Sequence, residues 1–200
     1  TPNRRRISVV TGTPMLTLNS GAAARAVYAA GSGTKVLTFN YSVAAGDSAE
    51  ALDYTSTGSL SGGELRGAAG AAVISTLPAP GGGSSLASAR VLRIDTSAPS
   101  LLRLEVLSTS GIYSQGQRIE LRAIVSEPLQ ATGGLELALS TGARVTLSPV
   151  AGEAQLRGSY LIGSGENTRL LNATGIAFAA GQPPRDPAGN ALVLVGVPAG

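Results

Sequence analysis

Apolar and polar residues alternate with a period of two along much of this chain. Leu37, Phe39, Tyr41 and Val43 alternate with Thr38, Asn40 and Ser42. Ile119, Leu121, Ala123 and Val125 flank Glu120 and Arg122, and Leu135, Leu137 and Leu139 flank Glu136 and Ala138. Successive side chains of an extended backbone point to opposite faces, so each run predicts a strand with one dry and one wet face. Turn formers separate the runs: Ser20-Gly21, Gly31-Ser32-Gly33, Ala45-Gly46-Asp47, Thr132-Gly133-Gly134, Ser164-Gly165-Glu166-Asn167 and Asp186-Pro187-Ala188-Gly189-Asn190. No stretch has the pattern of a long amphipathic helix, and the Ala-rich segment from Gly21 to Ala30 is short and flanked by glycine. Short strands at regular spacing predict an all-β protein of antiparallel sandwiches.

The halves repeat each other. Thr11 to Gly21 aligns with Thr132 to Gly142 at an offset of 121 residues. Leu37, Tyr41, Val43, Gly46, Asp47 and Leu52 align with Leu156, Tyr160, Ile162, Gly165, Glu166 and Leu171 at an offset of 119, as does Arg66 to Ala72 with Arg185 to Ala191. A near-constant offset predicts two copies of one module. Residues 77 to 99, rich in Pro, Gly and Ser, form the joint, which divides the chain into 1–94 and 95–200. Residues 98 to about 126 have no counterpart before Thr11, where only ten residues stand, so the first repeat is expected to be incomplete at its N-terminus. The chain therefore reads as a piece of a longer array or as a repeat truncated by its gene boundary.

Composition narrows the chemistry. Of 200 residues 43% are hydrophobic, with two Phe, five Tyr and no Trp, so the cores must be built from Leu, Val, Ile and Ala. Each large aliphatic side chain contributes about 1.5–3 kcal/mol on burial. The absence of His and Cys removes the usual zinc ligands, thiol nucleophiles, imidazole bases and disulfides. Lys35 is the one amine base, no aromatic sugar platform is visible, and Gly81-Gly82-Gly83 lacks the Gly-Lys-Ser/Thr ending of a phosphate loop and reads as a flexible turn. The expectation is that the chain is not an enzyme. The net charge of +3 equals the contribution of Arg4-Arg5-Arg6 alone, which is the composition of a solvated basic tail, not of a nucleic-acid-binding face. No apolar run approaches the ~18 residues of a membrane span, and an exported protein would carry its targeting signal outside this segment.

Tyr41 and Tyr160 fall on the inward phase of their strands, predicting core residues whose hydroxyls reach the rim. Asp47 and Glu166 follow Gly in equivalent turns, which predicts turn caps.

Four segments, residues 11–21, 31–47, 51–57 and Ile-Asp-Thr-Ser-Ala-Pro at 94–99, together resemble the bacterial immunoglobulin-like tandem repeats of large RTX-type and other cell-surface adhesins. The resemblance covers nearly the whole chain. It implies tandem immunoglobulin-like β-sandwiches that extend a binding tip away from the cell. It also implies calcium near the domain junction, through an acid in the linker, a Ser-Glu-Pro turn and an Asp-x-Ala-Gly-Asn loop. The matching residues here are Asp95, Glu127 in Ser126-Glu127-Pro128, and Asp186 with Asn190.

A strand count places Glu127, Glu153 and Asp186 in three loops at one end of a seven-strand sandwich, beside Asp95 where the chain enters. Hard oxygen ligands suit Ca²⁺, which takes about six to eight. Ordinary turn chemistry is the alternative for these acids. The first repeat has Arg6, Gly67 and Ala71 where Glu127, Asp186 and Asn190 stand in the second, which argues against calcium there.

The function expected is a structural spacer in the stalk of an exported bacterial adhesin, extracellular or on the cell surface. Its partners would be neighbouring repeats of the same polypeptide, with no nucleic acid and no membrane insertion in this segment. A glycan- or protein-binding module and an accessory domain of a secreted enzyme are the alternatives.

Overall fold

The computed structural model describes residues 7–67 and 69–195. The protein is all-β, and its paired strands run antiparallel. It divides into two compact units, Thr1–Thr96 and Ser97–Gly200.

The first unit contains β1 (Ile7–Thr17), β2 (Arg25–Ala30), β3 (Thr38–Asn40), β4 (Ser48–Ala49), β5 (Leu60–Gly67), one helical turn at Leu86–Ala89, and β6 (Ile94–Asp95). Four strands form a sheet in the order β3-β2-β1-β5, and β4 pairs with β6. Its buried apolar cluster is small, with Leu18, Ala24, Ala26 and Leu52 at the centre and Leu16, Phe39, Tyr41 and Ile94 half-buried around them. The run predicted to be a strand over residues 37–43 pairs only over Thr38–Asn40, and Val43 is 50% exposed. Among the described residues no strand lies along the outer edge of β3, so no second ladder holds residues 41–43 extended.

The second unit contains β7 (Leu101–Val106), β8 (Arg118–Val125), β9 (Leu135–Leu139), β10 (Arg144–Pro149), β11 (Gln155–Leu161) and β12 (Ala173–Phe178). They form one hydrogen-bonded array, β12-β9-β10-β11-β8-β7. Here the period-two reading holds: Ile119, Leu121, Ala123 and Val125 are buried on β8, and Leu135, Leu137 and Leu139 on β9. They join Val145, Leu147, Leu156, Tyr160, Leu129 and Leu192 in one core. Arg122 on β8 reaches across to Glu105 on β7 at 2.5 Å, a cross-strand ion pair at the rim.

The sequence repeat reappears as repeated pairing. Arg25, Ala26 and Val27 face Thr17, Leu16 and Met15, while Arg144, Val145 and Thr146 face Ala138, Leu137 and Glu136. These are the same registers shifted by 119 and 121 residues. Hydrogen bonds repeat as well. The Tyr41 hydroxyl donates to Asp47 Oδ2 at 2.6 Å and lies 2.8 Å from Ser20 Oγ, and the Tyr160 hydroxyl donates to Glu166 Oε2 at 2.6 Å and lies 3.1 Å from Thr141 Oγ1. Each acid also accepts the backbone N–H three residues before it, Ala44 for Asp47 and Gly163 for Glu166, so both cap their turns as the sequence predicts. Gly12 and Gly133 match in the repeat and both have positive φ, +74° and +72°. A Cβ on either would fall within 3 Å of neighbouring backbone, which is why Thr-Gly opens both copies.

The Gly-rich joint is fastened more firmly than a flexible turn would be. Asp53, buried, accepts the backbone N–H groups of Tyr54 at 2.9 Å, Gly81 at 3.0 Å and Leu86 at 3.2 Å. The Tyr54 hydroxyl donates to the Pro78 carbonyl at 2.8 Å.

These contacts set a pH profile. Burial pushes the Asp53 carboxyl up, but hydrogen bonds from Gly81, Ser85, Tyr54 and Leu86 together bring it below its ordinary value. The Tyr41 hydroxyl, then the Ala44 N–H, lower Asp47; Tyr160, then Gly163, lower Glu166; Arg103, then Arg122, lower Glu105. Burial, helped by the neighbouring carboxylates, raises Tyr41, Tyr160 and Tyr54. Unfolded carboxyls titrate near about 4 and tyrosines near about 10. The acids therefore contribute stability above about pH 4 that is lost as pH falls through their lowered folded values. The tyrosines contribute stability below about pH 10 that is lost as pH rises through their raised ones. Thermal melts across pH should show a plateau with both limbs; melting temperatures unchanged down to about pH 2 would contradict this.

Candidate metal centre

The second unit builds one end from three loops. After β8, Leu129 N–H donates to the Glu153 carbonyl at 3.1 Å and the Leu129 carbonyl accepts Gly152 N–H at 2.9 Å, joining the β8–β9 and β10–β11 loops. Gln130 joins the loop after β12: its backbone N–H donates to the Arg185 carbonyl and its Nε2 to the Asp186 carbonyl, both at 2.8 Å. The chain reaches this end beside Pro99, whose carbonyl accepts Val193 N–H at 2.8 Å, and Ser126 N–H donates to the Ser100 carbonyl at 2.9 Å.

The loop after β12 closes on its own side chains. Asp186 is fully buried; Oδ1 accepts Asn190 N–H at 2.8 Å and Oδ2 accepts Asn190 Nδ2 at 2.7 Å. The Asp186 N–H donates to the Asn190 carbonyl, and Gly189, at φ +96°, donates to the Asp186 carbonyl. Arg185 Nη1 braces the loop from outside at the Gly189 carbonyl, 2.6 Å away. The first unit has the same backbone loop: Gly67 N–H donates to the Ala71 carbonyl, Gly70 N–H to the Gly67 carbonyl, and Arg66 Nη1 to the Gly70 carbonyl at 3.0 Å. Gly67 and Ala71 keep the turn but lack the side-chain oxygens. The third difference expected in the first repeat, Arg6, lies outside the described residues.

Asp95, Glu127 and Asp186 each offer a carboxylate oxygen to a candidate three-acid group. Asp95 ends β6 of the first unit, while Glu127 stands in the Ser-Glu-Pro turn and Asp186 in the closed loop of the second. Carboxylates gathered at one site repel unless a cation lies among them; Asp95 has the mostly exposed Arg93 guanidinium 3.9 Å away, which also pairs with Glu50. Oxygen-only donors of this kind match a hard divalent cation, and three carboxylates binding in mono- or bidentate fashion supply about three to six of the ligands Ca²⁺ takes.

The other two residues of the expected set are placed differently. Glu153 is not part of the three-acid group: its carboxylate is solvent-exposed and accepts Gln155 Nε2. The turn that carries Glu153 two residues before Gln155, the first residue of β11, makes this local partner available. Asn190 adjoins the group through Asp186, acting as a donor to its carboxylate. Sequence reading did not single out Asp53, whose Leu-Asp-Tyr context gives no sign of the distant Gly81 and Leu86 amides it gathers.

No protein-family profile, no curated protein and no solved structure matches this chain.

Proposed function

We propose that the chain is a pair of immunoglobulin-like β-sandwich repeats serving as a structural spacer in the stalk of an exported bacterial surface adhesin. Its partners in this reading are neighbouring repeats of the same polypeptide, and it performs no catalysis. One observation carries the reading: the same scaffold occurs twice, down to matched strand registers, the tyrosine–acid contact and the arginine-braced loop. Repetition of scaffold without repetition of the acid set fits a role in extension, since what is duplicated is architecture.

Ca²⁺ is the cofactor of this proposal, held by Asp95, Glu127 and Asp186 and fastening the connecting segment to the second unit's loops. Asn190 would orient Asp186. Differential scanning calorimetry of the full chain tests it: in millimolar calcium the transition of the second unit should rise relative to chelator. Superimposable traces in the two conditions would remove calcium from the account.

A further inference from the structure

Charge is spread unevenly over the second unit. Residues 97–200 carry seven arginines and seven acids, so the unit as a whole is neutral. Four of those arginines, with only two of the acids, stand on the outward face of three neighbouring strands, alternating with core residues: Arg103 and Glu105 on β7, Arg118, Glu120 and Arg122 on β8, and Arg157 on β11. Arg122 lies opposite Glu105 on one side and opposite Arg157 on the other, and Ser148 of β10 flanks Arg157 in turn. Like charges directly opposite each other cost a sheet stability. Glu105 offsets part of that cost by accepting Arg103 Nε at 2.6 Å and Arg122 Nε at 2.9 Å. Arg157 and Arg118 are exposed, and each bonds a neutral side chain: Arg157 Nε donates to Gln155 Oε1 at 3.2 Å, and Arg118 Nη1 to Ser159 Oγ at 3.0 Å.

The scaffold does not require this charge. Thr38 of the first unit matches Arg157 and Asn40 matches Ser159, and β3 pairs with β2 without an arginine on it. We propose that this face of the second unit binds an acidic polysaccharide, whose carboxylate or sulfate groups are held by Arg118, Arg122 and Arg157. Arginine presents a planar fork of donors that matches such oxyanions, and every cation on the face is an arginine. Arg122 and Arg157 are neighbours across two strands, and Arg118 lies four residues along β8, about 13 Å away at the rise of a strand. The positive charges therefore follow a line that an extended anionic chain can track.

The neutral side chains of the face favour a sugar chain over other polyanions. Ser148 and Ser159, beside the arginines, offer hydroxyls to the hydroxyls of a sugar. The one aromatic residue of β7, β8 and β11 is Tyr160, which points into the core, so nucleic acid bases have nothing to stack on. The central row, Glu105, Arg122, Arg157 and Ser148, is polar throughout and lacks the aromatic or aliphatic anchor around which protein interfaces are built.

Isothermal titration of the full chain at low salt tests this, with heparin as the sulfated probe, polygalacturonate as the carboxylated one and duplex DNA as the competing polyanion. Binding to either polysaccharide is expected, the tighter of the two naming the oxyanion, with an affinity that falls as salt screens the charges. Arg157→Thr, which installs the residue of the first unit, should weaken binding about fivefold, and Arg118→Ser should do the same. Arg157→Thr also relieves the like-charge contact, so that variant should melt no lower than the parent chain. Lys35→Ser in the first unit, and serine in place of Arg4, Arg5 and Arg6 together, should leave the affinity nearly unchanged. Losses from Lys35→Ser equal to those from Arg157→Thr, or binding abolished by the Arg4 to Arg6 substitutions, would overturn the assignment to this face. So would DNA binding more tightly than both polysaccharides, or no binding to either of them.

Discussion

Leu156→Ala should destabilise the second unit by about 2–5 kcal/mol, while Leu37→Ala, at the matched position of the first unit, should cost less than about 1 kcal/mol. The two leucines occupy the same place in the repeat, and only their surroundings differ. Leu156 is fully buried on β11, with Ala123 directly opposite on β8 and a thirteen-residue buried cluster around it. Truncation there removes transfer free energy and leaves a void that the surrounding strands cannot close. Leu37 is half-buried and not part of the first unit's small cluster, which centres on four residues, two of them alanine. Urea unfolding of the two variants, followed by unit-specific hydrogen exchange, checks the difference. Equal losses would contradict the difference in packing.

Asp186→Ala should remove two sources of stability from the second unit. The first is intrinsic: the carboxylate accepts both the backbone and side-chain N–H of Asn190, and losing acceptors for such groups costs about 1–3 kcal/mol. The second depends on the cation, since a ligand at one hundred times its dissociation constant contributes about 2.7 kcal/mol to the state that binds it. Melting in chelator isolates the first contribution and melting in calcium gives their sum. Glu127→Gln separates them further, because Glu127 lies outside the Asp186–Asn190 closure; it should keep most of the stability seen in chelator and lose the calcium increment. A variant of Asp186 that retains the full calcium shift would place the ion elsewhere.

Much of this arrangement was legible in the residues. The strands β8 and β9 of the second unit followed from strict alternation, because each has a buried and a wetter face. That the loops holding Glu127 and Asp186 share one end of the second unit was readable from parity, since alternate connections emerge at one end and the backbone bonds at Leu129 and Gln130 draw those loops together. Glu153 falls in the loop that parity assigns to it, while its exposed carboxylate takes Gln155 Nε2 as a partner, because parity positions a loop but not a side chain. Alternation also overextended β3. A strand's length depends on its neighbours, and among the described residues no second strand pairs with residues 41–43, which have the right pattern. The fastening of the Gly81 turn within the first unit was missed for a related reason. Pro and Gly mark where a chain turns, whereas the Asp53 contacts that pin the turn at Gly81 and Leu86 span about thirty residues.

Stretching single molecules of the full chain from its two ends, in calcium and then in chelator, tests the spacer account most directly. The account predicts two resolved unfolding steps, the second unit's lengthening the chain by roughly 30–35 nm for its hundred or so residues. The force of that step should fall when calcium is withdrawn. Extension without a resolved step in calcium, or with forces indifferent to chelation, would contradict a calcium-fastened structural spacer.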